Sequence, residues 1–266
     1  MKKLRIFVLL ALLFGMASCD YSALPPPSVP SGLVVTFEPI PTAEPTAPAT
    51  AAPTPDDGIP AVADVPVVND FTIDDIIFLG DSTTYGMKAY GVLSGGTSTD
   101  QVWTPKSGTL TLDHQSYATI VYPPDGTEIT IRDAAEKSAP EVIVITLGVN
   151  GVSFMGKDTF KAEYSDLIMG ISKASPDTII ILQSIFPVAS NYEYLKSINN
   201  EKIIAANSWI EEIADSFKLT FVDAYPKLIG EDGWLPQNLQ NGDGLHLTEA
   251  GFAIVINNLK ETLAIQ

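Results

Sequence analysis

Cysteine is almost missing from these 266 residues: Cys19 is the only one. No internal disulfide can form, and beyond residue 19 there is neither a thiolate zinc site nor a cysteine nucleophile. Histidine is nearly as scarce, so an imidazole base must be His114 or His246. Basic residues are few, 15 against 32 acidic ones, which gives a formal net charge of −17. That deficit argues against nucleic acid as a partner, because phosphate binding needs a basic surface. It argues equally against broad adhesion to anionic membranes. No internal repeat, phosphate loop, nucleotide fingerprint or metal-ligand cluster is visible, so no cofactor and no metal are expected.

The N-terminus has the pattern of an export leader. Lys2, Lys3 and Arg5 form a positive region and Ile6 to Phe14 a short apolar one. That run falls short of the roughly 20 residues that span a bilayer. Met16-Ala17-Ser18-Cys19 follows and resembles the lipobox of bacterial lipoproteins, with Met16 where Leu is more usual. The resemblance implies a lipid anchor on Cys19 and an extracytoplasmic, membrane-tethered protein. Simple secretion, with cleavage after Ala17 or Ser18, is the alternative. Residues 20–70 read as a linker, since twelve of the 20 prolines lie between Pro25 and Pro66. Such a composition cannot bury enough apolar surface to offset the entropy of ordering. Val34 to Phe37 is a small apolar interruption in it.

Residues 71–266 carry the pattern of a folded domain. Ile76 to Leu79, Val142 to Leu147, Thr178 to Leu182 and Thr220 to Val222 are apolar, mostly β-branched runs of the kind buried in parallel sheets. Helical spacing is expected after Ser82 out to Val92-Leu93, and over Asp133 to Ser138, Phe160 to Ala174, Ile203 to Phe217 and 248–263, with Thr248 as an N-cap. Leu93 to Gly126 is less regular. In and just after it, Val102-Trp103, Thr109 to Leu112, Ala118 to Tyr122 and Thr127 to Ile131 read as short extended segments. Strands alternating with helices predict an α/β fold, with a mostly parallel sheet between helices. Ligand sites in such sheets lie beyond the carboxyl ends of the strands.

Three strand ends or loops carry candidate chemistry. Gly80-Asp81-Ser82 ends the first strand and places a serine where helix N–H groups are unpaired, which suits a nucleophile and equally an ordinary helix cap. Gly148-Val149-Asn150-Gly151 follows a middle strand; Asn-Gly is also a turn dipeptide. Asp243 stands three residues before His246, so a turn could set its carboxylate against the imidazole. His114 follows Asp113, but neighbours on an extended segment point apart, which makes that pair the poorer candidate.

In order and rough spacing these blocks resemble the SGNH (GDSL-type) hydrolases, over about residues 73–263. The resemblance implies a flavodoxin-like three-layer α/β/α fold and ester hydrolysis through an acyl-enzyme. It implies Ser82 as nucleophile, His246 as base and Asp243 as its orienting carboxylate. It further implies an oxyanion hole of the Ser82 N–H, a glycine N–H and the Asn150 side chain. Gly108 is the choice for that glycine, with Gly95 and Gly96 as rivals. Asp81 is expected to hold the loop. Gly-Asp-Ser-Thr stands here for the family's Gly-Asp-Ser-Leu, and Gly151 where many members have Asp. Tyr85, Trp103, Phe154, Phe186, Tyr192 and Trp234 are aromatics that line either a pocket or the core. Export and tethering point to an extracellular ester, such as O-acetyl groups on a carbohydrate polymer. Lipid esterase, acyltransferase and non-catalytic binding module are the competing readings.

Overall fold

A computed structural model describes residues 71–266. The leader, Cys19 and the proline-rich linker with its Val34–Phe37 interruption lie outside the described residues. A 3₁₀ turn, Ile73–Asp75, leads into β1 (Ile76–Gly80), and the Ile73 N–H donates to the Gln266 carbonyl at 3.3 Å. Helix α1 (Ser82–Ala89) follows, then β2 (Val102–Trp103), β3 (Thr119–Val121), β4 (Glu128–Thr130) and α2 (Ile131–Ser138). Next come β5 (Val142–Thr146), α3 (Lys157–Ala174), β6 (Ile179–Gln183), α4 (Asn200–Phe217) and β7 (Thr220–Val222). The short α5 (Tyr225–Leu228) and the long α6 (Glu249–Leu263) complete the domain.

Five strands form one sheet in the order β2-β1-β5-β6-β7, and every pair in it is parallel. Strand side chains alternate between faces, so each buried run feeds two cores. On one face Leu79, Ile143, Ile145, Ile180 and Leu182 pack with Phe160, Tyr164 and Leu167 of α3 and Ile203, Ala206 and Ile210 of α4. On the other, Ile76, Phe78, Val142, Val144 and Ile181 meet Met87 of α1 and Phe252, Val255 and Leu259 of α6. This is the three-layer α/β/α arrangement. Each fully buried side chain of this size contributes about 1.5–3 kcal/mol before entropy is charged against it.

The irregular stretch departs from expectation. α1 stops at Ala89 instead of running to Val92-Leu93, because Gly91 adopts φ +64° and turns the chain. Thr109 to Leu112 is not a strand, and Leu112–His114 is a 3₁₀ turn. β3 and β4 pair with each other as a separate antiparallel hairpin. β2 joins the main sheet beside β1, where the side chain of Gln101 donates to the Ile73 and Ile76 carbonyls.

The chain leaves β1 for β2 on one side and returns as β5 on the other. The loops after β1 and β5 therefore diverge, and a crevice opens between their carboxyl ends. In register, Gly80 stands opposite Thr146, so Asp81-Ser82 and the Gly148–Gly151 turn emerge side by side.

Candidate active site

The β1–α1 junction accepts little besides glycine at position 80. A Cβ there would overlap the Thr84 side chain and lie 2.8 Å from the Thr146 carbonyl. The tight approach brings Asp81 in as the N-cap of α1. Its Oδ1 accepts from the Thr83 N–H at 2.9 Å and the Thr83 hydroxyl at 2.7 Å. Its Oδ2 accepts from Asn150 Nδ2 at 2.9 Å. Asn150 Nδ2 also reaches the Leu110 carbonyl at 3.2 Å. Complete burial pushes the Asp81 carboxyl up to about 6, against the Thr83 hydrogen bonds and the nearby His246, which favour the ionised form. Asp81 thus holds the loop, and it also fixes the carboxamide of Asn150.

Ser82 is the first helical residue, and its backbone N–H has no hydrogen-bond partner among the described residues. Its Oγ lies 2.9 Å from His246 Nε2. On the far side of the ring, Nδ1 lies 2.6 Å from Asp243 Oδ2. These contacts fit an imidazole with its proton on Nδ1 and its Nε2 accepting from the serine. Asp243 Oδ1 accepts the N–H groups of Leu245 at 2.8 Å and His246 at 2.9 Å. Partial burial pushes the Asp243 carboxyl up, but those N–H groups and the imidazole outweigh it and hold the group below its ordinary value. Ser82, Asp243, His246 and Asn150 are thereby brought into one hydrogen-bonded neighbourhood.

The loop carrying Asp243 and His246 is held by a residue that sequence reasoning missed. Gln240 is buried, and its Oε1 accepts the N–H groups of Gly242 at 2.6 Å and Gly244 at 2.9 Å. The Asn241 N–H closes the loop onto the His246 carbonyl at 2.9 Å. Gly244 has φ +82°, and a Cβ there would lie 2.7 Å from the backbone N and Cα of Tyr192. Only glycine combines that conformation with that approach. A glutamine just before Asn-Gly-Asp-Gly carries no pattern that announces this role.

A cleft of about 520 Å³ opens beside Ser82, between α1 and the segment after β2. Gly108 lines it, and a methyl group there would sit 3.5 Å from Ser82 Cβ. Its N–H donates to the Pro105 carbonyl at 2.9 Å, closing a turn. The N–H expected in the oxyanion hole is therefore engaged, although the residue stands beside Ser82. Gly95 and Gly96 do not line the cleft.

The aromatic candidates divide. Tyr85 lines the cleft and is exposed, as is Phe154. Trp103 and Phe186 are buried core residues, Tyr192 backs Gly244, and Trp234 lines a separate depression. Asp113 and His114 do approach, at 3.5 Å, because they lie on a 3₁₀ turn and not on an extended segment. Both are exposed, and His114 lines a second cavity of about 330 Å³ without Ser82. Among the described residues no group of His, Cys, Asp and Glu could hold a metal ion, and no helix is long and apolar enough to cross a membrane.

The parallel sheet between its two helical layers carries the hydrogen-bonded path from Ser82 through His246 to Asp243 at the carboxyl ends of its strands. The family model of the GDSL-like lipases and acylhydrolases matches residues 78–254, and the chain belongs to that family. Solved structures show the same fold at low identity. A Bacteroides fragilis NCTC 9343 protein described as an acylhydrolase is 19% identical, with 71% of this chain and 86% of that one covered and a TM-score of 0.53. A protein from Desulfitobacterium hafniense DCB-2, described as a lipolytic protein of the G-D-S-L family, is 17% identical over 70% and 98% of the two chains, with a TM-score of 0.51. No curated protein sequence matches the chain.

Proposed function

We propose that this acylhydrolase-family chain cleaves carboxylic esters through an acyl-enzyme on Ser82. The observation that carries the reading is the continuous path Ser82 Oγ to His246 Nε2 at 2.9 Å and Nδ1 to Asp243 Oδ2 at 2.6 Å. A serine hydroxyl is a weak nucleophile until a base takes its proton, and a base is effective only when oriented. Ser82 attacks the ester carbonyl while His246 accepts its proton. Asp243 stabilises the imidazolium. His246 returns the proton to the departing alcohol, and water then repeats the sequence on the acyl-enzyme.

The tetrahedral oxyanion meets the Ser82 N–H at the positive end of α1. Asn150 supplies a second donor by exchanging its long contact to the Leu110 carbonyl for the oxyanion, while its bond to Asp81 keeps it aimed. Gly108 supplies a third when its turn to Pro105 relaxes.

An extracellular ester fits the export leader and the Cys19 tether of the same proposal, and a cleft of about 520 Å³ is large enough for acyl groups beyond acetyl. The test is hydrolysis of p-nitrophenyl acetate, butyrate and octanoate by the full chain beside Ser82→Ala. Loss of at least about 10³-fold in the variant is expected. Cleavage that persists without the hydroxyl overturns the reading. Cys19→Ala should release the protein from membranes, and retention would count against the anchor.

A further inference from the structure

The cleft beside Ser82 has a charge opposite to that of the chain. In a protein of formal net charge −17, its wall carries Lys88 and Lys106 and no carboxylate. Tyr85, Val102 and Val121 also line it, beside Ser82. Lys106 is loosely paired with Glu128 at 3.7 Å, both side chains exposed, and such a pair holds its cation weakly. Lys88 is half-buried and has no ion pair or side-chain hydrogen bond among the described residues. A carboxylate entering the cleft would give this half-buried side chain the ionic partner that it lacks.

Geometry decides which part of an ester enters. His246 and Asp243 do not line the cleft. The departing alcohol must take its proton from His246 Nε2, so it leaves on that side of Ser82. What remains bonded to Ser82 Oγ, the acyl group, occupies the cleft. Lys88 lies six residues along α1 from Ser82, about 9 Å of helix rise. Its side chain leans back toward the N-terminus, which shortens that span.

We infer that the acyl group ends in an acid: the substrates are half-esters of dicarboxylic acids of about four to six carbons. Their free carboxylate rests on Lys88, with Lys106 adding attraction, and their methylenes lie on Val102, Val121 and Tyr85. This rests on the ester-hydrolase reading above. Ser82 Oγ bonds the ester carbonyl carbon, the carbon–oxygen bond to the alcohol breaks, and the alcohol leaves with the proton from His246. Water then attacks, the acyl–Oγ bond breaks, the dicarboxylate departs and the serine regains its proton.

The test compares monoethyl succinate and monoethyl adipate with ethyl butyrate and ethyl hexanoate, following ethanol release by the full chain. A kcat/KM at least about tenfold higher for the half-esters is expected, since a charge-assisted hydrogen bond is worth that or more. Added salt should reduce the preference, Lys88→Gln should lose most of it, and Lys88→Glu should reverse it. Equal rates in the wild type, or a preference that survives Lys88→Gln, overturn the inference. So does a preference for O-acetylglycolate, whose charge lies on the alcohol side. If no ethyl ester is cleaved in a Ser82-dependent manner, the ester-hydrolase reading fails instead. The anion site is then judged by calorimetric binding of adipate to the Ser82→Ala chain. Binding lost on adding Lys88→Gln supports the site, and no binding refutes it.

Discussion

Asn150 Nδ2 donates to Asp81 Oδ2 at 2.9 Å, so the residue preceding Ser82 aims the side chain proposed to meet the oxyanion. That acceptor is a fully buried carboxyl pushed up to about 6 by its burial. Between its ordinary value, near 4, and 6, the folded protein holds a proton there that the unfolded chain releases. Stability from this group is therefore fully present below pH 4 and is lost as pH rises through 6, by on the order of 3 kcal/mol. Asp81→Asn should flatten that decline. Urea unfolding of both proteins at pH 4, 5, 6 and 7 measures it, and identical pH profiles would refute the assignment.

Asn150→Ala should cut kcat by about 10²–10³ with little change in KM, because the oxyanion exists only in the transition state. A loss expressed mainly in KM would make Asn150 a substrate-binding residue. Steady-state kinetics on p-nitrophenyl butyrate separates the two.

Asp243→Asn keeps an oxygen for the Leu245 and His246 N–H groups but turns an amide N–H toward the ring. The imidazole then favours the tautomer with its proton on Nε2, which cannot accept from Ser82. We expect kcat to fall by about 10²–10⁴ with the fold retained. Circular dichroism and kcat of one preparation test both halves, and near wild-type turnover would remove Asp243 from the relay.

Gln240→Leu fills a similar volume but leaves the Gly242 and Gly244 N–H groups without their acceptor. The expected cost is about 1–3 kcal/mol, and His246 should lose its alignment with Ser82. Activity should therefore fall further than stability alone accounts for, and Gln240→Glu, which keeps the acceptor oxygen, should restore part of it. A variant with lowered Tm and unchanged kcat would leave Gln240 a purely structural residue.

The sheet and the catalytic candidates were legible because they are written locally. β-branched runs such as Val142 to Thr146 bury both faces, and their ends are marked by Gly80-Asp81-Ser82 and Gly148-Val149-Asn150. Asp243 reaches His246 through bonds to N–H groups two and three residues on, so the spacing carries the geometry. What was not legible depends on partners distant in sequence. Gln101 at the start of β1 and Lys88 facing Val121 across the cleft leave no periodic trace. The stretch from Leu93 to Gly126 follows turns set by tertiary packing, so Thr109 to Leu112 read as a strand without being one. Gly108 was placed beside Ser82, but no motif shows that its N–H is already bonded to Pro105.

The contact between Ile73 and Gln266 brings the first and last parts of the domain together near the amino end of β1. Ser82 stands beyond its carboxyl end, across the five residues of the strand, a span of roughly 16 Å. Anything joined at either terminus of the domain therefore attaches behind the cleft. A surface or support carrying the protein by residue 71 or residue 266 leaves Ser82 facing outward, and a short peptide joining the two ends would permit a new start elsewhere in the chain without disturbing it.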